Sequence, residues 1–211
     1  MIRLLLVDDH PVVRAGYQRL LEQTGEMAVV AQAGDVDGAC ALFVRHTPDL
    51  TITDLAMPGS GGLELIRRLR ERAAETRVLV FSMHDSELLV ARALELGARG
   101  FVTKRCAPEN LIDAVHRVNA GHRHLSPDLP PHLLLGRPPA DPLGALTQRE
   151  FEVFRRLARG ESLAECARSL HLSPKTVSNH QTLIKEKLGL ATSAAMAHLA
   201  IRHGLIGADG S

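Results

Sequence analysis

Residues 49–62 are Asp-Leu-Thr-Ile-Thr-Asp-Leu-Ala-Met-Pro-Gly-Ser-Gly-Gly. The first five of them predict a short β-strand, and the proline and glycines that follow Asp54 end the strand and open a loop. Asp54 therefore stands at the carboxyl end of a strand beside a glycine-rich turn, where open α/β sheets build their sites. An isolated aspartate in this position is more often the cap of a helix or turn. The rest of the chain decides between these two interpretations.

Strand and helix patterns alternate on both sides of this stretch, throughout residues 1–121. Apolar or β-branched runs predict five strands, and each is followed by apolar residues at helical spacing. The predicted strands are residues 2–7, 27–33, 49–53, 78–81 and 100–103. This alternation predicts an α/β flavodoxin-like (βα)5 domain with a parallel sheet in the order 2-1-3-4-5. Because the crossovers are right-handed, all strands end at the same edge of the sheet.

Polar side chains follow four of these five strands. They are Asp8 and Asp9 after strand 1, Asp54 after strand 3, Ser82 after strand 4 and Lys104 after strand 5. These four strands are neighbours in the predicted order, so the five side chains are expected to converge on one cleft. Any one of them alone could be a helix cap or a solvated residue; together they indicate a site.

Residues 1–121 resemble a two-component receiver domain. The matching stretches are 7–14 (Val-Asp-Asp-His-Pro-Val-Val-Arg), 54–58 (Asp-Leu-Ala-Met-Pro), 82–85 (Ser-Met-His-Asp) and 97–104 (Gly-Ala-Arg-Gly-Phe-Val-Thr-Lys). The resemblance implies that Asp54 accepts a phosphoryl group from a sensor histidine kinase and that Asp8 and Asp9 help it to hold Mg²⁺. It also implies that Ser82 and Lys104 contact the phosphoryl group, with Phe101 as the aromatic switch residue.

Elementary chemistry agrees with these implied roles. Three close carboxylates repel one another unless a cation lies among them, and Mg²⁺ prefers oxygen ligands, including those of phosphate. Our hypothesis is that phosphorylation draws Ser82 inward, that Phe101 fills the vacated space, and that the face formed by helix 4, strand 5 and helix 5 changes. His10 is expected to be positional. Arg105 stands where many receivers have proline, so one cue for a fixed loop shape is missing.

Residues 122–142 are predicted to be a proline-rich linker between two domains. A helix cannot run through its six prolines, so we expect a semi-rigid tether, in which the Leu133–Leu135 run packs locally or against either domain. The three histidines of this stretch, His122, His124 and His132, are expected to be solvated and not to bind a metal.

Residues 143–211 predict an all-α domain of four helices. Thr147 and Ser162 each begin a capping box, and Ser173-Pro174 pairs a cap with proline at the first helical position. Thr192 or Ser193 caps the last helix. A short helix, a tight turn and a second helix form the helix-turn-helix layout. In the third helix, Val177, Ile184 and Leu188 share the inner face, His180 and Lys187 flank one side of the opposite face, and Lys185 flanks the other side.

The motifs of this domain resemble the LuxR-type helix-turn-helix. They are Leu146-Thr-Gln-Arg-Glu150, Ser173-Pro-Lys-Thr-Val-Ser-Asn-His180 and Ile184-Lys-Glu-Lys-Leu-Gly189. Together the two domains resemble a NarL/FixJ-family response regulator. Phosphorylation is then expected to control homodimerisation and sequence-specific binding to double-stranded DNA. The expected base-reading residues are Ser178, Asn179 and Thr182, and the expected phosphate contacts are Lys175, Thr176, His180 and Lys185.

Composition limits the other possibilities. Residues 143–211 hold 9 basic and 6 acidic residues, against 14 and 16 in residues 1–121, so the basic excess lies where DNA would bind. The chain shows neither a signal-peptide layout nor a membrane span, and we expect a cytoplasmic protein with three reduced cysteines.

Two other functions compete with that of a regulator. A phosphatase using Asp54 would usually have a second Asp two residues later, where Ala56 stands. The other alternative is a receiver that acts only through protein contacts, with a helical domain that no longer binds DNA.

Overall fold

The computed structural model describes residues 1–57, 61–135 and 142–206. The chain divides into two compact units, Met1–Arg137 and Pro138–Ser211. Residues 58–60, which belong to the turn predicted after Asp54, lie outside the described residues. The same holds for residues 136–141 of the predicted linker.

The first unit contains a parallel sheet of six strands in the order β2-β1-β3-β4-β5-β6. The strands are β1 (Ile2–Val7), β2 (Met27–Ala33), β3 (Leu50–Thr53), β4 (Val78–Ser82), β5 (Gly100–Thr103) and β6 (His124–Leu125). The first five follow the predicted flavodoxin-like order, which is thereby confirmed. Because β1, β3, β4 and β5 are neighbours, the polar residues that follow them meet at one edge of the sheet.

Within the described residues of the first unit, five α-helices cover the two faces of the sheet. They are α1 (Pro11–Glu22), α2 (Val36–His46), α3 (Gly61–Arg72), α4 (Glu87–Glu95) and α5 (Pro108–Asn119). On one face, side chains such as Leu6, Ile52 and Phe81 form a buried cluster with Leu21 of α1 and Val115 of α5. Each such side chain contributes roughly 1.5 to 3 kcal/mol by leaving water. This core holds the strand ends at fixed positions.

The sixth strand lies in the stretch predicted to be a linker. Its backbone continues the ladder of β5, with hydrogen bonds from the His124 amide to the Arg99 carbonyl (3.1 Å) and from the Ser126 amide to the Phe101 carbonyl (2.8 Å). Pro127 then ends the strand, since proline has no amide hydrogen to donate. His124 is only 7 % exposed, so the prediction of a solvated residue is wrong at this position.

Beyond β6, a 3₁₀ helix (Pro131–Leu135) packs against α4, and its Leu133 is buried. Leu133 therefore packs within the first unit. The structure assigns more of the proline-rich stretch to this unit than the sequence prediction did, because β6 pairs with β5 and Leu129 and Leu133 are buried.

The second unit is helical, as predicted. After a 3₁₀ turn (Pro142–Ala145) it contains α6 (Gln148–Ala158), α7 (Leu163–Ser169), α8 (Pro174–Leu188) and α9 (Ser193–Arg202). Both capping boxes form, Ser173 caps α8, and Thr192 rather than Ser193 caps α9. Among the described residues of the whole chain, no helix combines the length and the apolar character that crossing a membrane requires.

Candidate functional site

Asp54 lies at the end of β3 and is 6 % exposed. Its Oδ1 accepts hydrogen bonds from the Ser82 hydroxyl (2.6 Å) and the Ala56 amide (3.1 Å). Its Oδ2 accepts one from the Lys104 ammonium (2.6 Å). The Ala56 contact is the local turn bond that an isolated aspartate would make. The Ser82 and Lys104 contacts come from two other strands, so Asp54 is the centre of an assembled site.

Lys104 joins two of the carboxylates. Its ammonium donates to Asp8 Oδ2 at 2.5 Å as well as to Asp54 Oδ2, and its side chain is only 9 % exposed. Burial disfavours the charged ammonium, but the two hydrogen-bonded carboxylates raise the pKa of Lys104 above its ordinary value. Lys104 is therefore a fixed positive charge beside Asp54 at neutral pH.

The same contacts set the charge of Asp54. Burial disfavours the carboxylate, but the hydrogen bonds from Lys104 and Ser82 lower the pKa of Asp54 below its ordinary value of 3.8. Asp54 is thus an anion at neutral pH, with both of its oxygens hydrogen-bonded. An anionic oxygen beside a lysine and a hydroxyl donor is suited to attack a phosphorus atom and to bear the new phosphoryl group.

Asp8, Asp9 and His10 form an acidic group at the end of β1, with one ligand atom of each within 4.8 Å of the others. His10 Nδ1 lies 2.9 Å from Asp9 Oδ1 and 3.2 Å from Asp8 Oδ1. Within the described residues, Asp9 Oδ1 is enclosed yet accepts no hydrogen bond of acceptable geometry. An enclosed carboxylate oxygen that accepts no well-aligned hydrogen bond, beside a second carboxylate, is a ligand set that fits a divalent cation.

The backbone at Asp54 is held by the start of α3. The Gly62 amide donates to the Leu55 carbonyl at 3.2 Å, and a methyl group on Gly62 would lie 2.0 Å from the Asp54 carbonyl oxygen. No side chain fits there, so glycine at this position allows the start of α3 to lie directly against the backbone of Asp54.

Ser82 and Phe101 both face the interior of the unit. Ser82 is fully buried against Asp54, and Phe101 has no exposed surface. Both side chains are therefore already buried in this structure. The predicted movement between two states stays a prediction.

In the second unit, α7 and α8 form the helix-turn-helix. The turn between them contains His171 at a φ of +53°, a left-handed conformation that is uncommon for a non-glycine residue. The Ser173 hydroxyl caps α8 by accepting from the Thr176 amide at 3.0 Å, and Pro174 occupies the first helical position. The amino end of α8 is therefore rigidly defined.

The outward side of α8, which we call the recognition face, carries seven predicted DNA contacts. Lys175, Asn179 and Thr182 are exposed, whereas Thr176, Ser178, His180 and Lys185 are half-buried. Val177 and Ile184 are buried on the inner side, as the helical period predicts, but Leu188 is only half-buried. The Lys187 ammonium contacts Glu150 Oε2 at 2.7 Å, so within the unit it ties α8 to α6.

Comparison with known families assigns both units. Residues 4–116 match the response regulator receiver domain, and residues 144–200 match the bacterial regulatory proteins of the luxR family. The chain is a response regulator of the NarL/FixJ family.

Named relatives of this response regulator are transcriptional regulators. It is 42 % identical over 208 residues to the transcriptional activator protein ExaE of Pseudomonas putida, covering 96 % of this chain and 97 % of ExaE. It is 42 % identical over 198 residues to the transcriptional regulatory protein UhpA of Salmonella typhimurium, covering 94 % and 97 %. These relatives support the prediction of a DNA-binding regulator rather than an enzyme.

Among solved structures, it is similar to RcsB from Salmonella enterica serovar Typhimurium bound to promoter P1flhDC in the presence of the phosphomimetic BeF3⁻. That match has a TM-score of 0.72 and 27 % identity, and it covers 94 % of this chain and 97 % of RcsB.

Sequence reasoning missed several contacts of this response regulator. The Arg105 guanidinium pairs with Asp85, and Thr103, Cys106, Ser126 and Asp128 form a polar cluster beside Lys104. No local pattern marks that cluster, because half of it lies in the stretch assigned to a linker. The sequence shows that His10 is next to Asp8 and Asp9 in the chain. It does not show that the imidazole ring points toward their carboxylates.

Proposed function

We propose that phosphorylation of Asp54 by a sensor histidine kinase controls homodimerisation and DNA binding through α8. The observation that carries the proposal is the Asp54 carboxylate, held at 2.6 Å by Lys104 on one oxygen and at 2.6 Å by Ser82 on the other. Lys104 directly follows β5 and Ser82 is the last residue of β4, so the contacts exist only because the fold brings them together.

The proposed chemical step is a phosphoryl transfer. One carboxylate oxygen of Asp54 forms a bond to phosphorus while the bond from phosphorus to the donor nitrogen of the kinase histidine breaks. The departing imidazole keeps the electron pair and takes up a proton. Lys104 offers a positive charge to the incoming phosphoryl oxygens, and Ser82 offers a hydroxyl donor.

Asp8, Asp9 and Asp54 are the residues that would hold Mg²⁺. When bound, Mg²⁺ supplies positive charge that neutralises phosphoryl oxygens. The enclosed oxygen of Asp9 and the shared position of Asp8 beside Lys104 support this assignment. His10 orients the acidic group, since its backbone amide donates to Asp8 Oδ1 at 2.8 Å.

Phosphorylation then changes the charge that Ser82 and Lys104 face. An acyl phosphate adds negative charge and new acceptor oxygens at Asp54, so the free energy of its contacts with both donors changes. Ser82 precedes α4 and Lys104 precedes α5, which lets the change reach the face formed by α4, β5 and α5. Phe101, a fully buried residue of β5, acts as the switch residue.

The recognition face is the proposed output. Exposed Asn179 and Thr182, together with Ser178, present short hydrogen-bonding groups suited to base edges in the major groove. Lys175, Thr176, His180 and Lys185 border them and are suited to phosphate contacts. Two chains on two half-sites would gain affinity through effective concentration, which is why dimerisation raises DNA binding.

Radioactive labelling tests the input half of the proposal. The full chain is incubated with labelled acetyl phosphate and Mg²⁺, and incorporation of phosphate is measured. We expect Asp54→Asn to abolish labelling, because the amide is not a nucleophile. Asp37→Asn is the matched control, since this α2 carboxylate is 77 % exposed and distant in sequence from the site; it should label normally. Undiminished labelling of Asp54→Asn would overturn the assignment.

A further inference from the structure

The turn that contains Lys104 is closed by a backbone hydrogen bond, and the residues at both of its ends make further hydrogen bonds. The Cys106 amide donates to the Thr103 carbonyl at 3.2 Å, which places Lys104 and Arg105 in the middle of a four-residue turn. Neither of these two residues is proline or glycine, so the covalent chain does not fix the shape of the turn. Its shape depends on the partners of Thr103 and Cys106.

Both ends of this turn bond to residues that lie after β6 in the chain. The Thr103 hydroxyl donates to Asp128 Oδ2 at 2.8 Å, and the Thr103 amide donates to the Ser126 hydroxyl at 3.3 Å. At the other end, Cys106 Sγ donates to Asp128 Oδ1 at 3.1 Å and also lies against the Ser126 hydroxyl. We call Thr103, Cys106, Ser126 and Asp128 the clasp.

The clasp combines two buried hydroxyl residues, Thr103 and Ser126, with the half-buried Cys106 and the exposed Asp128. Thr103 is fully buried and Ser126 is 1 % exposed. Burial disfavours the charged carboxylate, yet the hydrogen bonds from its three donors lower the pKa of Asp128 below its ordinary value. The carboxylate is therefore ionised, with both oxygens engaged, at neutral pH.

We infer that Asp128 and Ser126 are positioning residues for Lys104, and that they attach the segment leaving the receiver to the phosphoryl site. Lys104 directly follows Thr103, and its amide donates to the Ser82 carbonyl at 2.9 Å, so its backbone is fixed between β4 and the clasp. This inference rests on the proposed function, because it assumes that Lys104 stabilises the phosphoryl group.

The same segment also contacts α4, the helix that comes after Ser82. Beyond Asp128, the 3₁₀ helix packs against α4, and His132 Nε2 lies 3.4 Å from Glu87 Oε2 at the first residue of α4. Residues 126–135 thus contact both α4 and the turn that contains Lys104. Ser82 lies shortly before α4 in the chain, so the segment contacts an element next to each of the two side chains that donate to Asp54. A shift of Lys104 or Ser82 toward a phosphoryl group therefore changes the surface on which this segment rests.

A double-mutant cycle tests the positioning role in the full chain, with labelled acetyl phosphate and Mg²⁺. We expect Asp128→Ala to slow labelling about tenfold, as loss of an orienting hydrogen bond does. Asp128→Asn should lose less, because its amide oxygen still accepts a bond. In a Lys104→Ala background, Asp128→Ala should add no further loss, since Asp128 acts through Lys104. Glu75→Gln, with a side chain 93 % exposed, is the control and should label normally.

Thermal unfolding of each variant separates misplacement from misfolding, and Ser126→Ala replaces Asp128→Ala if the latter does not fold. Normal labelling of the clasp variant overturns the inference, and so does an equal loss with and without Lys104. If Asp54→Asn abolishes labelling while the clasp variants label normally, only this inference fails. If Asp54→Asn still labels, the proposed function fails first.

Discussion

The side chains around Asp54 come from the carboxyl ends of four strands, whereas those of the recognition face come from a single helix. Lys104 and Asp8 are 96 positions apart in the chain and yet 2.5 Å apart in space. In contrast, the seven residues of the recognition face lie between Lys175 and Lys185. Asp54 and the side chains that contact it are buried and hydrogen-bonded to one another. Lys175 and Asn179 of the recognition face are exposed.

Because one site is buried and internally hydrogen-bonded and the other is exposed, we expect substitutions to act differently in the two sites. In the Asp54 site, each group holds its neighbour, so the loss of one leaves a buried partner unsatisfied and the effects are coupled. On the recognition face, exposed side chains can change without disturbing the helix. Their effects should be independent and should appear only when DNA is bound.

The largest effect is expected for Lys104→Ala in the full chain. Removal of the ammonium takes away the charge beside Asp54 and Asp8, so labelling by acetyl phosphate should slow about a hundredfold, the usual loss for one preorganised donor. Ser82→Ala, which removes a neutral donor, should slow it less. A rate for Lys104→Ala equal to that of the wild type would show that the buried contacts do not act on the phosphoryl group.

An effect of intermediate size is expected for Asn179→Ala. Loss of a base contact should cost roughly 1 to 3 kcal/mol on the preferred sequence and little on random DNA, so sequence preference relaxes. Fluorescence anisotropy with both kinds of DNA measures this. If affinity falls equally on both, Asn179 does not read bases.

Lys175→Ala sharpens the contrast within the same face. As a phosphate contact it should weaken binding on all sequences and lower the slope of log affinity against log salt by about 1. The double variant with Asn179→Ala should show additive losses, unlike the clasp and Lys104. Strong coupling between these two exposed residues would break the distinction between the two kinds of site.

The smallest effect is expected for Glu150→Gln, which supports α8 from within its unit. Glu150 completes the capping box of α6 through the Thr147 amide and pairs with Lys187. Burial disfavours its charged form, but the hydrogen bonds from Lys187 and Thr147 lower the pKa of Glu150 below 4.5. The contribution of Glu150 to folding stability is therefore complete above about pH 4.5, the ordinary pKa of glutamate, and is lost as the pH falls through the lowered pKa.

Denaturant unfolding at two pH values measures this contribution. The variant should lose about 1 kcal/mol of unfolding free energy at pH 7, and the difference from the wild type should shrink at acidic pH. Glu186→Gln, an exposed change on α8, is the matched control. A pH-independent difference would contradict the charged role of Glu150.

Much of the fold was predictable because it depends on periodicity. The alternation of strands and helices indicated the sheet order, and the hydroxyl caps marked where three helices of the second unit begin. Asp8, Asp54, Ser82 and Lys104 were predictable as a group, since parallel strands end at one edge. The outer and inner sides of α8 were predictable from the helical period, except that Lys187 turned to Glu150.

The features that the sequence did not reveal depend on contacts between distant parts of the chain. The strand at His124 is two residues long and carries no alternating pattern, so proline content suggested a tether instead. Asp128 and Cys106 are 22 positions apart and meet only because β6 pairs with β5. The carboxylate of Asp9 and the ring of His10 are adjacent in sequence, but only the structure shows that they approach each other.

DNA binding measured with and without a phosphoryl mimic tests the central claim most directly. The full chain binds a selected high-affinity DNA fragment in the presence of Mg²⁺, with and without beryllofluoride, alongside Asp54→Asn. We predict that beryllofluoride tightens binding of the wild type about tenfold, within the usual range of coupling between sites, and leaves Asp54→Asn unchanged. Equal affinity of the wild type in both conditions would contradict control of the recognition face by Asp54.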